Sequence, residues 1–139
     1  MGLFRRRNKE AGGKPVRLFY ASDIHGTEVL WRKFINAGKA YEADVLVMGG
    51  DLTGKAVIPL VGDEQSGYEV ELFGERQHVP PEEAEELERQ IRGKGMYPHR
   101  MSAEEVERVA AMSEEEREQW FAEVMLITFR RWLELAEER

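Results

Sequence analysis

Cysteine is absent from the 139-residue chain, which excludes disulfide bonds and thiolate metal sites. No apolar run approaches the ~20 residues that a membrane-spanning helix needs. The opening stretch, MGLFRRRNKE, carries positive charge but lacks the apolar segment of a secretory signal peptide. These absences predict a cytoplasmic protein without a membrane span.

Positive charge is scarce beyond the N-terminus. Residues 1–17 contain six basic side chains and one acidic side chain, a local charge of +5, so the net charge of −7 leaves −12 for the remainder. This acidic remainder argues against nucleic acid as the main partner of the folded part. We therefore predict a flexible basic tail over residues 1–15 and a folded part over residues 16–139. Contact of the tail with phosphates or an anionic membrane surface is the alternative.

The first half of the folded part shows a strand–helix–strand pattern. PVRLFYAS and VLVMGG are apolar and rich in strand-forming residues, and GTEVLWRKFINAGKAYEAD between them repeats apolar residues with a helical period. VLVMGG is nearly continuous in apolar residues, which is typical of a strand buried on both faces of a parallel sheet. This βαβ unit predicts the α/β fold class.

The second half of the chain predicts a β-hairpin followed by helices. AVIPLV and YEVELFG are strands joined by a turn at GDEQSG, and Tyr68, Val70 and Leu72 share one face of the second strand. Pro81 then begins an acidic helix whose charged residues form a solvated face. Its narrow apolar stripe consists of Ala84, Leu87 and Ile91.

Two capping boxes, Ser102 with Glu105 and Ser113 with Glu116, predict the starts of two further helices. The last helix is apolar around much of its circumference between residues 120 and 133, so it should be largely buried. A single small unit offers too little surface to bury all of it. We therefore predict self-association through residues 120–135, or docking of a missing C-terminal half on this surface.

Two predicted strands end on carboxylates. Asp23 and His25 follow the first strand and Asp51 follows the second, so all three should meet at the carboxyl edge of the parallel pair. Two carboxylates at such a short separation disfavour joint ionisation unless a cation lies between them. Oxygen and imidazole ligands suit Mn, Fe, Zn or Ni, and suit Mg less because of the histidine. The supporting sharp turns are assigned to Gly26, Gly49 and Gly50.

Other interpretations of these residues exist. Each aspartate could cap a helix, although capping explains neither His25 nor the double glycine. GGDLTGKA, residues 49–56, nearly matches a nucleotide-binding loop, but Ala56 replaces the hydroxyl that holds magnesium and no helix is predicted to follow. The remaining histidines, His78 and His99, are interpreted as exposed loop residues.

DIHG followed by GGD, with Asp23 and Asp51 separated by 28 positions, resembles the first two motif blocks of the calcineurin-like metallophosphoesterases. This resemblance implies a βαβ sandwich and a two-metal hydrolase that acts on phosphoester or nucleotide-like substrates. It also implies that Asp23 and His25 ligate the first metal ion and that Asp51 bridges both ions.

The resemblance covers only residues 16–56. The family's later blocks, G-N-[HD] and G-H-x-H, are absent, and the only asparagines are Asn8 and Asn36. The sequence therefore predicts an incomplete N-terminal portion of a phosphoesterase, inactive by itself, without catalytic residues beyond the metal ligands. A non-catalytic binding or regulatory module that keeps the βαβ frame is the rival hypothesis.

Overall fold

The structure, a computed structural model, describes residues 13–138. Most of the predicted basic tail, residues 1–12, lies outside this range. The elements in chain order are β1 (Leu18–Ala21), α1 (Glu28–Ala40), β2 (Val45–Met48), β3 (Val57–Asp63), β4 (Gly67–Leu72), β5 (Glu75–Val79), α2 (Pro81–Gly93), β6 (Tyr97–Met101), α3 (Ala103–Ala110) and α4 (Glu114–Glu137).

The predicted βαβ unit is present. Strands β1 and β2 pair in parallel with Leu18 opposite Val45, and α1 connects them. Helix α1 buries Phe34 and Ala37 against one face of this sheet, where Phe19 lies 6.3 Å from Phe34 between ring centroids. The prediction of a mixed α/β chain is confirmed.

The predicted burial of β2 on both faces is wrong. Val45 is 41% exposed, and on β1 Leu18 and Tyr20 are 57% and 58% exposed. These three residues form the outer sheet face, since side chains alternate along a strand and their neighbours Phe19 and Leu46 point toward α1. Within residues 13–138 the sheet has two strands and a helix on one side only, so the other side stays open.

A second sheet contains the predicted hairpin. Its strand order is β5-β4-β3-β6, with β3 and β4 antiparallel and β3 and β6 parallel. At the hairpin turn the carboxylate of Asp63 accepts hydrogen bonds from the backbone N–H groups of Gln65 and Ser66, both at 2.8 Å. These bonds lower the pKa of Asp63, because they stabilise the ionised carboxylate.

Helix α2 covers this four-stranded sheet and supplies the predicted stripe. Ala84, Leu87 and Ile91 are all buried, as are Tyr68 and Val70 on the predicted inner face of β4. Leu60, from β3, is fully buried beneath them. This cluster is the apolar core of the second sheet. Fully burying one side chain of this size contributes about 1.5–3 kcal/mol to stability.

Both capping boxes are confirmed, at the starts of α3 and α4. The predicted burial of α4 around most of its circumference is wrong. Only one stripe, formed by Val124, Thr128 and Trp132, is buried, because the contacts of α4 with α1 and β6 cover a single side of the helix. No helix within residues 13–138 combines the length and the apolar character needed to cross a membrane.

Candidate metal centre

The loops that follow β1 and β2 run side by side beyond the ends of the strands. The backbone N–H of Asp23 donates to the Gly50 carbonyl at 3.1 Å, and that of His25 donates to the Asp51 carbonyl at 3.1 Å. The N–H of Gly26 likewise donates to the Leu52 carbonyl at 2.8 Å. These backbone hydrogen bonds align the two segments that carry the predicted ligands.

The structure brings the three predicted ligands together. One ligand atom from each of Asp23, His25 and Asp51 lies within 4.8 Å of the other two. Within the cluster, Nδ1 of His25 lies 3.3 Å from Oδ2 of Asp51. Within residues 13–138 this is the only group of three histidine or carboxylate side chains with such proximity. A cation at its centre could accept two oxygen ligands and one nitrogen ligand.

All three ligand residues have left-handed backbone conformations. The φ angles are +59° at Asp23, +47° at His25 and +47° at Asp51. Such values are uncommon outside glycine, although Asp, Asn and His tolerate them better than most residues. Backbone strain of this kind concentrates at functional sites, where the surroundings fix a conformation that the chain alone would avoid.

The capping interpretation of the two aspartates is wrong. The residue before α1 is Thr27, whose side chain makes no capping hydrogen bond. Asp51 precedes an irregular segment and then β3, so no helix begins there to be capped. The absence of a helix after residues 49–56 also removes the structural context that a nucleotide-binding loop requires.

The three predicted supporting glycines act in different ways. A Cβ atom at Gly49 would lie 1.8 Å from the Tyr20 hydroxyl oxygen, and one at Gly26 would lie 2.5 Å from the Cα of Gly54. Close backbone approach and a φ of +70° require glycine at position 26, whereas a side chain at position 49 would displace the exposed Tyr20 ring. Gly50 has open space around it, and its φ of +129° supplies the reason for glycine there.

The cluster faces solvent. Asp23, His25 and Asp51 are all exposed, and the side chains of His25 and Asp51 are each 49% accessible. Ser22, which the sequence analysis did not single out, donates a hydrogen bond from its hydroxyl to Oδ2 of Asp23 and so orients that carboxylate. The sequence signal that could have identified Ser22 is its position next to Asp23. The donor set suits a divalent transition metal, and the open side leaves room for further ligands.

The other two histidines lie in strands, which corrects their interpretation as loop residues. His78, in β5, is exposed and places Nδ1 2.7 Å from the carboxylate of Glu69 on the neighbouring strand. His99, in β6, is half-buried, with its ring edge-on to Trp120 at 5.7 Å between centroids. Neither belongs to the Asp23–His25–Asp51 cluster.

Comparison with known proteins gives no significant match to a family model, a curated protein or a solved structure. The functional argument therefore depends on the chain's own residues and on their geometry.

Proposed function

We propose that the chain is the metal-binding N-terminal portion of a metal-dependent phosphoesterase. In this proposal Asp23, His25 and Asp51 hold a divalent ion of the Mn, Fe, Zn or Ni class. The observation that carries it is the convergence of two carboxylates and one imidazole within 4.8 Å, at the carboxyl ends of two parallel strands. That edge is where open α/β sheets bind their ligands.

The resemblance of DIHG and GGD to metallophosphoesterase motifs supports phosphoester hydrolysis as the reaction class. When bound, such an ion supplies Lewis-acid activation of a phosphoryl oxygen. Ser22 would hold the Asp23 carboxylate in place through its hydrogen bond. Asp51 would also help to hold a second ion, and the remaining ligands of that ion would come from polypeptide outside this chain.

Charge balance supports the need for a second ion. One divalent cation with two ionised aspartates and a neutral imidazole has a net charge of zero, so it attracts a phosphate anion weakly. With only the ligands of this chain counted, a second divalent ion would raise this charge to +2. We therefore expect the isolated chain to hydrolyse phosphoesters poorly even when one ion is bound.

Isothermal titration with Mn²⁺ tests the metal site. The wild-type chain should bind one ion weakly, because three protein ligands leave positions for water. Asp51→Asn should abolish the binding, since it removes an anionic ligand. Glu69→Gln is the matched control, because Glu69 forms an exposed carboxylate–histidine pair with His78 without a third ligand. Equal affinity in wild type and Asp51→Asn would overturn the metal site.

A non-catalytic binding or regulatory module is the second candidate. It is favoured because the cluster contains only three ligands within residues 13–138. Hydrolysis of bis-p-nitrophenyl phosphate with Mn²⁺ separates the two. A companion polypeptide that carries the G-N-[HD] and G-H-x-H blocks should restore turnover if the chain is part of a phosphoesterase. No turnover despite binding of this companion would favour the module. Robust hydrolysis by the chain alone, lost in His25→Ala, would show that its own residues complete the site.

A further inference from the structure

Tyr97 touches the loop that carries Asp51, although the two residues lie far apart in sequence. It begins β6 and is 1% exposed, with its ring edge-on to Phe121 at 5.9 Å between centroids. Its hydroxyl oxygen accepts a hydrogen bond from the backbone N–H of Gly54, in the loop that follows Asp51. Its own N–H donates to the Ala56 carbonyl at 2.9 Å, so both ends of Tyr97 hold this segment.

Three glycines, Gly26, Gly54 and Gly95, make the surrounding junction too tight to rearrange freely. A Cβ at Gly54 would lie 2.4 Å from the Gly95 carbonyl oxygen and 3.0 Å from the Tyr97 ring. A Cβ at Gly95 would lie 2.3 Å from the carbonyl oxygen of His25. The junction therefore joins the His25 loop, the Asp51 loop and the turn after α2 by direct backbone contact.

The Tyr97 hydroxyl is a side-chain partner for the backbone of this junction, through the N–H of Gly54. Burial raises the pKa of Tyr97, so the hydroxyl stays protonated at neutral pH and its oxygen remains a neutral acceptor. Without this oxygen, the N–H of Gly54 would lose its partner in a partly buried position. A backbone donor in that situation favours local movement that exposes it to water.

We propose that Tyr97 is a positioning residue for the metal centre: its hydroxyl fixes the segment after Asp51 and thereby holds Asp51 opposite His25. The inference rests on the proposed function, because it concerns the same cluster. Partners that hold metal ligands in orientation commonly alter metal affinity by about 10–100-fold when they are removed. The hydroxyl and the backbone N–H of Tyr97 bond to the backbone of Gly54 and Ala56, so Tyr97 would act on Asp51 through the backbone.

Tyr97→Phe tests this proposal, because it keeps the ring and removes only the hydroxyl. We expect the Kd for Mn²⁺ to rise about tenfold and the Gly54 amide to exchange its hydrogen faster in the metal-free chain. The matched control is Tyr68→Phe. Tyr68 is also buried in the same sheet, and its hydroxyl bonds Glu64 at 3.3 Å, in the hairpin turn. The Tyr68→Phe variant should lose a similar amount of stability, and its affinity for Mn²⁺ should be unchanged.

The outcomes separate the two proposals. Mn²⁺ binding by the wild type with an unchanged Kd in Tyr97→Phe would overturn the positioning role and leave the metal site standing. A raised Kd in both tyrosine variants would also overturn it, because general destabilisation would then explain the loss. Failure of the wild type to bind Mn²⁺ would overturn the proposed function, and the positioning role with it.

Discussion

Asp23, His25 and Asp51 share left-handed backbone conformations, with φ angles between +47° and +59°. This region costs a residue with a Cβ roughly 1–2 kcal/mol relative to the right-handed region. The hydrogen bonds from the backbone of Asp23 and His25 to the opposite loop offset part of that cost. A bound cation would offset the rest of this conformational cost, because the angles place the ligand atoms where they can bind the ion.

His25→Gly tests this strain. Glycine adopts a φ of +47° without steric cost, so the metal-free variant should gain roughly 0.5–1 kcal/mol in the free energy of unfolding. Loss of the His25–Asp51 contact removes little of this gain, since exposed ion pairs contribute about 0–1 kcal/mol. Urea denaturation without metal measures the difference.

His78→Gly is the matched control, because His78 is an exposed histidine in the regular strand β5. Glycine there should lower the free energy of unfolding by roughly 0.5–1 kcal/mol, since it adds backbone entropy to the unfolded chain. Destabilisation of similar size in both variants would mean that the backbone at His25 carries no strain.

The sequence was sufficient to predict that these three side chains would lie together. Two apolar strands ending on Asp23 and Asp51 place them at one edge, because parallel strands share their carboxyl ends. The left-handed angles and the contact of Tyr97 with Gly54 were not predictable in the same way. The contact depends on β6, a strand that the sequence analysis did not identify, and the angles accompany the pairing of the two loops.

Among the elements, α4 shows how local pattern and tertiary environment can disagree. Its composition predicted burial all around, but only positions four apart, Val124, Thr128 and Trp132, form a buried stripe. Trp132 stacks on Trp31 of α1 at 5.2 Å between centroids, and the Trp31 indole N–H donates to the Trp132 carbonyl at 2.9 Å. One stripe is therefore sufficient to dock α4 against the βαβ unit.

Trp132→Ala should destabilise the chain by about 3–5 kcal/mol, because it removes a buried indole and leaves a cavity beside Trp31. The neighbouring Leu133 is 60% exposed, so Leu133→Ala should change stability by no more than about 0.5 kcal/mol. Thermal or urea unfolding of both variants checks this. Comparable losses in the two would show that α4 buries a different face in solution.

The start of α4 predicts a dependence on pH. The backbone N–H of Ser113 donates to the Glu116 carboxylate at 2.8 Å, which lowers the pKa of Glu116 from its usual value of 4.5. A lowered folded-state pKa stabilises the fold at pH values above the unfolded-state pKa, and the contribution is lost as pH falls through the folded-state pKa. Glutamine keeps the capping geometry but does not ionise.

Wild type should therefore be more stable than Glu116→Gln at neutral pH, and the difference should shrink toward about pH 3. Thermal melts of both proteins across this range measure it. Ser102 and Glu105 form the same capping box at α3, so Glu105→Gln should show the same trend. A difference that stays constant down to acidic pH would exclude ionisation of these carboxylates as its source.

Strands β5 and β6 mark the limit of element prediction from this sequence. In β5 only Val79 is buried, so its polar sequence lacks the alternation that identifies a strand. In β6, Pro98 interrupts the pattern, and its segment was interpreted only as the break after α2. Both strands form because β4 and β3 offer neighbouring edges, which is information that neither segment contains.

At the scale of the whole molecule, a path of ion pairs connects the βαβ unit to the second sheet. Arg131 of α4 lies 3.3 Å from Glu28 of α1, and Arg92 of α2 lies 4.0 Å from the same carboxylate. Glu88, also on α2, forms an ion pair with Arg100 of β6, with 2.6 Å between the charged groups. The carboxylates of Glu28 and Glu88 are largely buried, and each also pairs with an arginine of its own helix, Arg32 and Arg92. The pairs between elements therefore add to the contacts that favour one relative placement.

Two exposed apolar surfaces remain on this framework. The outer sheet face consists of Leu18, Tyr20 and Val45. The outer helix stripe on α4 consists of Leu126, Ile127 and Leu133, which are 51%, 59% and 60% exposed. Groups of large apolar side chains in water favour association, because covering them recovers roughly 25 cal/mol for each Å² of apolar surface.

We predict that the chain self-associates through residues 120–135, which include the outer helix stripe. Light scattering should give an apparent mass that rises with protein concentration. Ile127→Glu should abolish this rise, because it places a charge within the stripe, whereas Leu18→Glu on the outer sheet face should leave it unchanged. If only Leu18→Glu abolishes association, the sheet face is the interface and the assignment to residues 120–135 is wrong. A wild-type chain of constant monomeric mass with a sharp thermal transition would contradict association through either surface, since burial of the Trp132 stripe would then be enough to keep α4 in place.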